Sequence, residues 1–168
     1  MNDFSTKDLT IAGLLTALVA VATIAVTVPI PATGGYLNLG DSIIFLAAII
    51  FGWKYGLVAG GLGAALADLL VAPAYALPTL IVKGLMGFIV GKIADKKNKN
   101  LFNYRNIAAI IIGSVWMALG YYIAQAIMIG NFKTPLVEVG PNVLQGFIGA
   151  IIFFPIAIAI KKSKILER

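Results

Sequence analysis

A chain of 168 residues that is 60% hydrophobic and only 12% charged carries about half the charge of an ordinary soluble domain, and its apolar runs are too long and too many for one aqueous core. Thirteen Lys and Arg against seven Asp and Glu leave it basic; in a membrane protein that excess is loop charge that sets orientation rather than a nucleic-acid footprint. With no His and no Cys, disulfides, thiolate metal sites and mechanisms built on a histidine base or ligand are excluded.

The N-terminal "MNDFSTKD" is acidic and polar where a secretory leader is basic, so no cleaved signal is expected. A spanning helix needs about 20 apolar residues, and the first is predicted over 7–28, stopped by Pro29 and Pro31. "PIPATGGYLNLGD" follows, a Pro- and Gly-rich stretch predicted to form a lid-like loop. A short second helix is predicted over 41–53, a third over 55–71 and a fourth over 77–94. Beyond the polar "DKKNKNLFNYRN" come a fifth over 107–129 and a sixth over 141–160. The expected fold class is an all-α membrane protein, a single domain over 1–168 forming a six-transmembrane-helix bundle with both termini cytoplasmic.

The charges test that topology independently. Lys7, Lys54, Lys92, Lys96, Lys97, Lys99, Arg105, Lys161, Lys162, Lys164 and Arg168 fall on the side of the termini, and only Lys133 on the other. Such a bias places the basic side in the cytoplasm. No internal repeat relates the first three helices to the last three, which argues against a free-standing secondary transporter.

Small residues mark close helix approach, a main route to association in lipid. Gly56, Gly60 and Ala64 on the third helix, and Gly84, Gly87 and Gly91 on the fourth, are read as internal packing. On the first helix Ala12, Thr16 and Ala20, with Gly13 and Ala17 beside them, form a strip that either packs internally or docks a partner.

Ionisable groups within spans are costly and mark functional sites. Asp68 and Lys83 lie seven residues before and eight after Tyr75 in the loop joining helices three and four, hence at similar depth. They are expected either to pin the two helices as an ion pair or to line a pocket. At the same level come Asn38 and Asp41 at the start of helix two, Tyr121, Tyr122 and Gln125 in helix five with Trp116 deeper, and Glu138, Asn142 and Gln145 at the start of helix six. Asp41 is open to a second role as the N-cap of helix two, and the Tyr and Trp residues to one as an interfacial belt. A polar cluster confined to the outer half, with aromatic faces in it, suits capture of a small, flat, polar molecule. The expected binding set is Asn38, Asp41, Asp68, Tyr75, Lys83, Trp116, Tyr121, Tyr122, Gln125 and Asn142, with no catalytic residue, metal or cofactor. No G-x-x-x-x-G-K-[ST] phosphate loop is present, so the chain does not itself hydrolyse ATP in that manner. "NLGD" lacks the first glycine of the G-x-G-D motif of intramembrane aspartyl proteases and has no second matching aspartate.

"GYLNLGDSIIFLAAIIFGWKYGLVAGGLGAALADLL" followed by "YALPTLIVKGLMGFIVGKI" resembles the S component, the substrate-binding membrane subunit, of energy-coupling factor (ECF) vitamin transporters, over about residues 35–93. The resemblance implies a bacterial-type plasma-membrane protein that binds a vitamin or precursor near the outer surface. It implies partners too: a membrane coupling subunit driven by two cytoplasmic ATPase subunits, and toppling in the bilayer to release cargo. The family's A-x-x-x-A coupling pattern maps onto Ala12, Thr16 and Ala20, with Thr in place of the central alanine. Riboflavin, hydroxymethylpyrimidine and pyridoxine are the cargoes that this branch implies. Asp41, Asp68 and Lys83 beside several tyrosines favour a small ring with amino and hydroxyl groups, so hydroxymethylpyrimidine or pyridoxine is placed before riboflavin. The competing reading is a self-sufficient, ion-coupled small-molecule transporter.

Overall fold

The computed structural model describes residues 5–98 and 100–163; Lys99, Lys164 and Arg168 of the charge pattern lie outside the described residues. Six helices form the bundle: α1 (Thr6–Ala25), α2 (Gly40–Phe51), α3 (Trp53–Val71), α4 (Pro73–Ile93), α5 (Tyr104–Ile129) and α6 (Leu136–Lys162). All but α2 are long and apolar enough to cross a membrane, and α2 is short, as expected. The chain is a multi-pass membrane protein.

The short α2 comprises seven α-helical residues and a five-residue π turn. Its residues from Gly40 to Ile50 are buried, Ile43 excepted, because it sits inside the bundle, with α1 and α6 among its neighbours. A helix shielded from lipid by protein has no need to reach both surfaces. Phe45 packs edge-on against Phe153 of α6, centroids 6.5 Å apart, in a core that also holds Val19, Ile44, Met86 and Met117. The chain leaves α2 through Gly52 at φ +112°, a conformation open to glycine and costly for other residues.

The expected packing role of the glycines in α3 and α4 holds. A Cβ on Gly56 would lie 2.5 Å from the Gly87 carbonyl, and one on Gly60 2.7 Å from that of Lys83; the two backbones touch, as small residues allow.

Besides α4, which begins at Pro73 rather than 77, the helix boundaries shift at three places. First, α1 ends at Ala25 rather than 28, and the predicted lid loop is an antiparallel hairpin, β1 (Thr27–Ile30) with β2 (Gly35–Asn38), Thr27 facing Asn38 and Ile30 facing Gly35. Pro29 removes a donor from the ladder, tolerable in a two-stranded ribbon whose every strand is an edge. Second, α5 begins at Tyr104, where the Asn103 side chain caps the helix by accepting from Asn106 N at 3.0 Å. Third, α6 begins at Leu136 and carries Pro141 and Pro155 internally, which buried neighbours make tolerable in a spanning helix.

Opposite ends of the bundle differ in chemistry. At one end Tyr55 donates to Asp8 (2.5 Å), Lys96 to the Phe51 carbonyl (2.9 Å) and Lys161 to that of Asn98 (2.6 Å), gathering the start of α1, the α2–α3 junction, the α4–α5 loop and the end of α6. The hairpin covers the other end.

Candidate functional site

Polar side chains from five elements meet under the hairpin. The cavity there is lined by Tyr36 and Asn38 of β2, Asp68 of α3, Tyr75 and Thr79 of α4, Tyr121 and Gln125 of α5, and Glu138, Asn142 and Gln145 of α6. Its volume is about 20 Å³, room for about one water molecule, so the hairpin is closed down on the cluster.

Three latches hold it there. Tyr36 Oη donates to Asp68 Oδ1, Tyr75 Oη to the Thr33 carbonyl at 2.7 Å, and the Asn38 backbone N–H to Gln145 Oε1 at 2.8 Å. Burial, then the hydrogen bond to the Asp68 carboxylate, pushes the Tyr36 phenol well above the ordinary tyrosine range, so it stays a neutral donor. Gly35 lets the hairpin settle: a Cβ there would stand 2.5 Å from Glu138 Oε1. Gly35→Ala is therefore expected to lift the hairpin and speed amide exchange across residues 27–38, as overpacking at a tight contact does; unchanged exchange would show that Glu138 gives way instead.

Beneath the cavity lies a buried network. Lys83 Nζ pairs with Asp41 Oδ1, approaches Met117 Sδ at 2.8 Å and sits 5.6 Å from the centroid of the Tyr121 ring. Gln145 Nε2 donates to Asp41 Oδ2 at 2.8 Å. Gln145 thus links the hairpin backbone above to the ion pair below. Of the two readings open for Asp68 and Lys83, the direct ion pair does not form: α2 brings Asp41 to the ammonium instead, while Asp68 lines the cavity. Asp41 is no N-cap either: it lies within α2, and the Gly40 N–H is taken by Asn38 Oδ1 at 2.9 Å.

Six of the ten expected binding residues line the cavity: Asn38, Asp68, Tyr75, Tyr121, Gln125 and Asn142. Asp41 and Lys83 lie one layer below. Trp116 donates from Nε1 to the Val82 carbonyl at 3.0 Å and Tyr122 from Oη to that of Phe132 at 3.1 Å, both away from the lining. Thr79 was not anticipated, and Gly35 and Tyr36, expected in the lid stretch, also line the cavity. Glu138 and Gln145 stand with Asn142 at spacings of four and three on α6, one helical face.

Several of these groups lack partners. Gln125 Nε2 donates to Glu138 Oε2, yet Gln125 Oε1, Glu138 Oε1 and Asn142 Nδ2 are buried without a hydrogen bond. Unmet polar atoms are costly, and the three residues that carry them all line the cavity.

The α1 strip divides in two. Ala12 is buried and Thr16 half-buried, its carbonyl backed by Gly63 of α3, whereas Gly13 and Ala17 are exposed and a Cβ on Gly13 would meet nothing. Ala20 lies between, half-buried.

The chain is thus a multi-pass helical membrane protein with a small polar cavity under a hairpin. Residues 3–162 match the family model described as ECF-type riboflavin transporter, S component, and the chain belongs to that family of vitamin-type substrate-binding subunits. It is 39% identical over 145 residues to an uncharacterized protein of Pyrococcus woesei, covering 86% of this chain and 95% of the relative. It is 27% identical over 169 residues to the thiamine precursor transporter HmpT of Lactococcus lactis subsp. cremoris, covering 99% and 95%. A UPF0397 protein of Streptococcus agalactiae is 27% identical over 132 residues, 73% of this chain and 71% of the relative.

Proposed function

We propose that the chain captures a small heteroaromatic vitamin precursor, hydroxymethylpyrimidine or pyridoxine, at the polar cluster under its hairpin, which lifts to widen the cavity for the ring. The observation that carries this reading is that Gln125, Glu138 and Asn142, each with a buried polar atom that makes no hydrogen bond, line one polar cavity. An amino or hydroxyl group of the ring supplies donors to Glu138 and Gln125, a ring nitrogen or hydroxyl accepts from Asn142, and Tyr75 and Tyr121 offer aromatic faces. The name of the Lactococcus relative, a thiamine precursor transporter, points the same way. Riboflavin is the second reading, favoured by the family's own description; its tricyclic ring asks for a longer, more apolar cleft than this lining offers.

The hairpin end faces outward in this reading. Among the described residues, Lys7, Lys54, Lys92, Lys96, Lys97, Arg105, Lys161 and Lys162 lie at the opposite end and Lys133 at the hairpin end, a distribution that supports cytoplasmic termini. Delivery inward falls to a coupling subunit with ATPase partners, docked on the exposed Gly13 and Ala17 face of α1. Gly13→Trp is expected to abolish co-purification with that subunit while leaving ligand affinity unchanged; intact assembly would move the docking face elsewhere.

Calorimetric titration of the purified chain with hydroxymethylpyrimidine, pyridoxine and riboflavin tests the cargo. Tight binding of one of the first two supports the proposal, and tightest binding of riboflavin overturns it. Uptake into vesicles by this chain alone, driven by an ion gradient, would favour a self-sufficient transporter.

A further inference from the structure

A second cavity lies between α5 and α6, where Val143 and Gly146 are chain neighbours of Asn142 and Gln145 in the lining of the hairpin cavity. It is a groove of about 400 Å³, walled by Ile107, Ile111 and Val115 on one side and Val143, Phe147 and Phe154 on the other, with Gly146 and Ala150 as its small-residue floor. It is almost wholly apolar. Ile111 and Phe147 are 57% and 63% exposed, so the groove opens sideways toward the surrounding hydrocarbon.

Two features define what fits. From Val143 to Phe154 the helix advances roughly 16 Å at about 1.5 Å per residue, close to the half-thickness, about 15 Å, of a bilayer's hydrocarbon core. The groove therefore runs the depth of one leaflet. It begins at the basic end of the bundle, where Phe102 stacks on Phe154 with centroids 4.1 Å apart. Lys161 lies two turns beyond Phe154 on the same face of α6, Lys162 follows it, and Tyr104, 81% exposed, stands one turn before Ile107. An aromatic at the interface and lysines just outside it are the groups that meet a phospholipid headgroup.

We infer that the α5–α6 groove is a lipid site, holding one acyl chain of an anionic phospholipid from the leaflet at the basic end, with the headgroup phosphate against Lys161 and Lys162. A groove with a basic mouth and an apolar body one leaflet deep matches such a molecule along its whole length. A detergent or a zwitterionic lipid matches only the body.

The inference is independent of the cargo, and its test needs none. The full chain is extracted from membranes in mild detergent, and retained phospholipid is quantified by headgroup; the stripped protein is then offered vesicles of phosphatidylglycerol or phosphatidylcholine. Roughly one phospholipid per chain is expected, anionic species enriched several-fold over the source membrane. Ala150→Trp, and Ile111→Trp from the facing wall, should reduce retention to background without lowering the thermal midpoint; the second variant serves if the first does not fold. Lys161→Gln with Lys162→Gln should keep the stoichiometry and lose the preference for phosphatidylglycerol. No retained lipid, retention that survives both tryptophans, or a dimer by light scattering that either tryptophan dissociates would each overturn the inference.

Discussion

Lys83→Met is expected to destabilise the protein by on the order of 3–5 kcal/mol, the cost of stranding one partner of a buried ion pair. Lys83 and Asp41 are 2% and 0% exposed, deep among helices where neither charge reaches water. Without the ammonium, the Asp41 carboxylate keeps the Gln145 amide at 2.8 Å and loses its counter-ion in a buried site. Asp41→Leu should cost a similar amount for the mirror-image reason. The double variant, by contrast, removes both charges and should recover most of the loss, since an apolar pair of similar volume is often as stable. Thermal unfolding of the four proteins in detergent closes the cycle. Additive losses would mean that the two groups are held by other partners. The network also predicts a smaller second effect: Gln145 loses its anchor, so the Asn38 latch should loosen and hairpin exchange should rise in Lys83→Met.

Long apolar runs made the helices legible, because spanning segments are selected for length and hydropathy, quantities that a sequence displays directly. The end of α1 was not. Val26, Thr27 and Val28 continue the apolar run, and only pairing with Gly35–Asn38, residues that read as loop, turns them into a strand. Pro29 was read as the helix stop, but α1 ends four residues earlier at Ala25; the place of Pro29 in an edge strand depends on a partner that no local window contains. The depth of α2 was likewise hidden. Its composition suits a span, and only burial by its neighbours shows that it need not be one.

Six of the ten residues expected to bind line one cavity, but the partner of Lys83 was not legible. Loop counting between adjacent helices left Asp68 open either as that partner or as pocket lining, and did not consider Asp41. Lateral position decides the matter: Asp41 arrives from a helix inserted into the bundle, and Asp68 is turned toward Tyr36. Glu138 and Gln145 were visible as polar residues at the start of helix six. Their spacing with Asn142 was the signal that they share its face and therefore its cavity. Thr79 offered no comparable sign, since a lone threonine in an apolar helix commonly bonds its own backbone.

Glu138→Gln should weaken binding of the proposed precursor by roughly 10- to 100-fold, the worth of about 1.5–3 kcal/mol for a hydrogen bond to a charged group. Glu138 is 3% exposed, its Oε2 accepts from Gln125 Nε2, and its Oε1 has no partner. In the substituted protein the side chain keeps its size. It can keep the Gln125 bond through the remaining carbonyl, at the expense of turning an amide donor toward the ligand's own donor. The loss should therefore appear in affinity rather than in stability. Calorimetry of the variant with hydroxymethylpyrimidine and pyridoxine measures it, with the thermal midpoint as the check on folding. Unchanged affinity for both would place Glu138 outside the binding set and return it to a purely structural part in seating Gly35. A loss for one compound alone would show which ring presents its donor to α6, and so separate the two cargoes that the cavity's chemistry treats as equals.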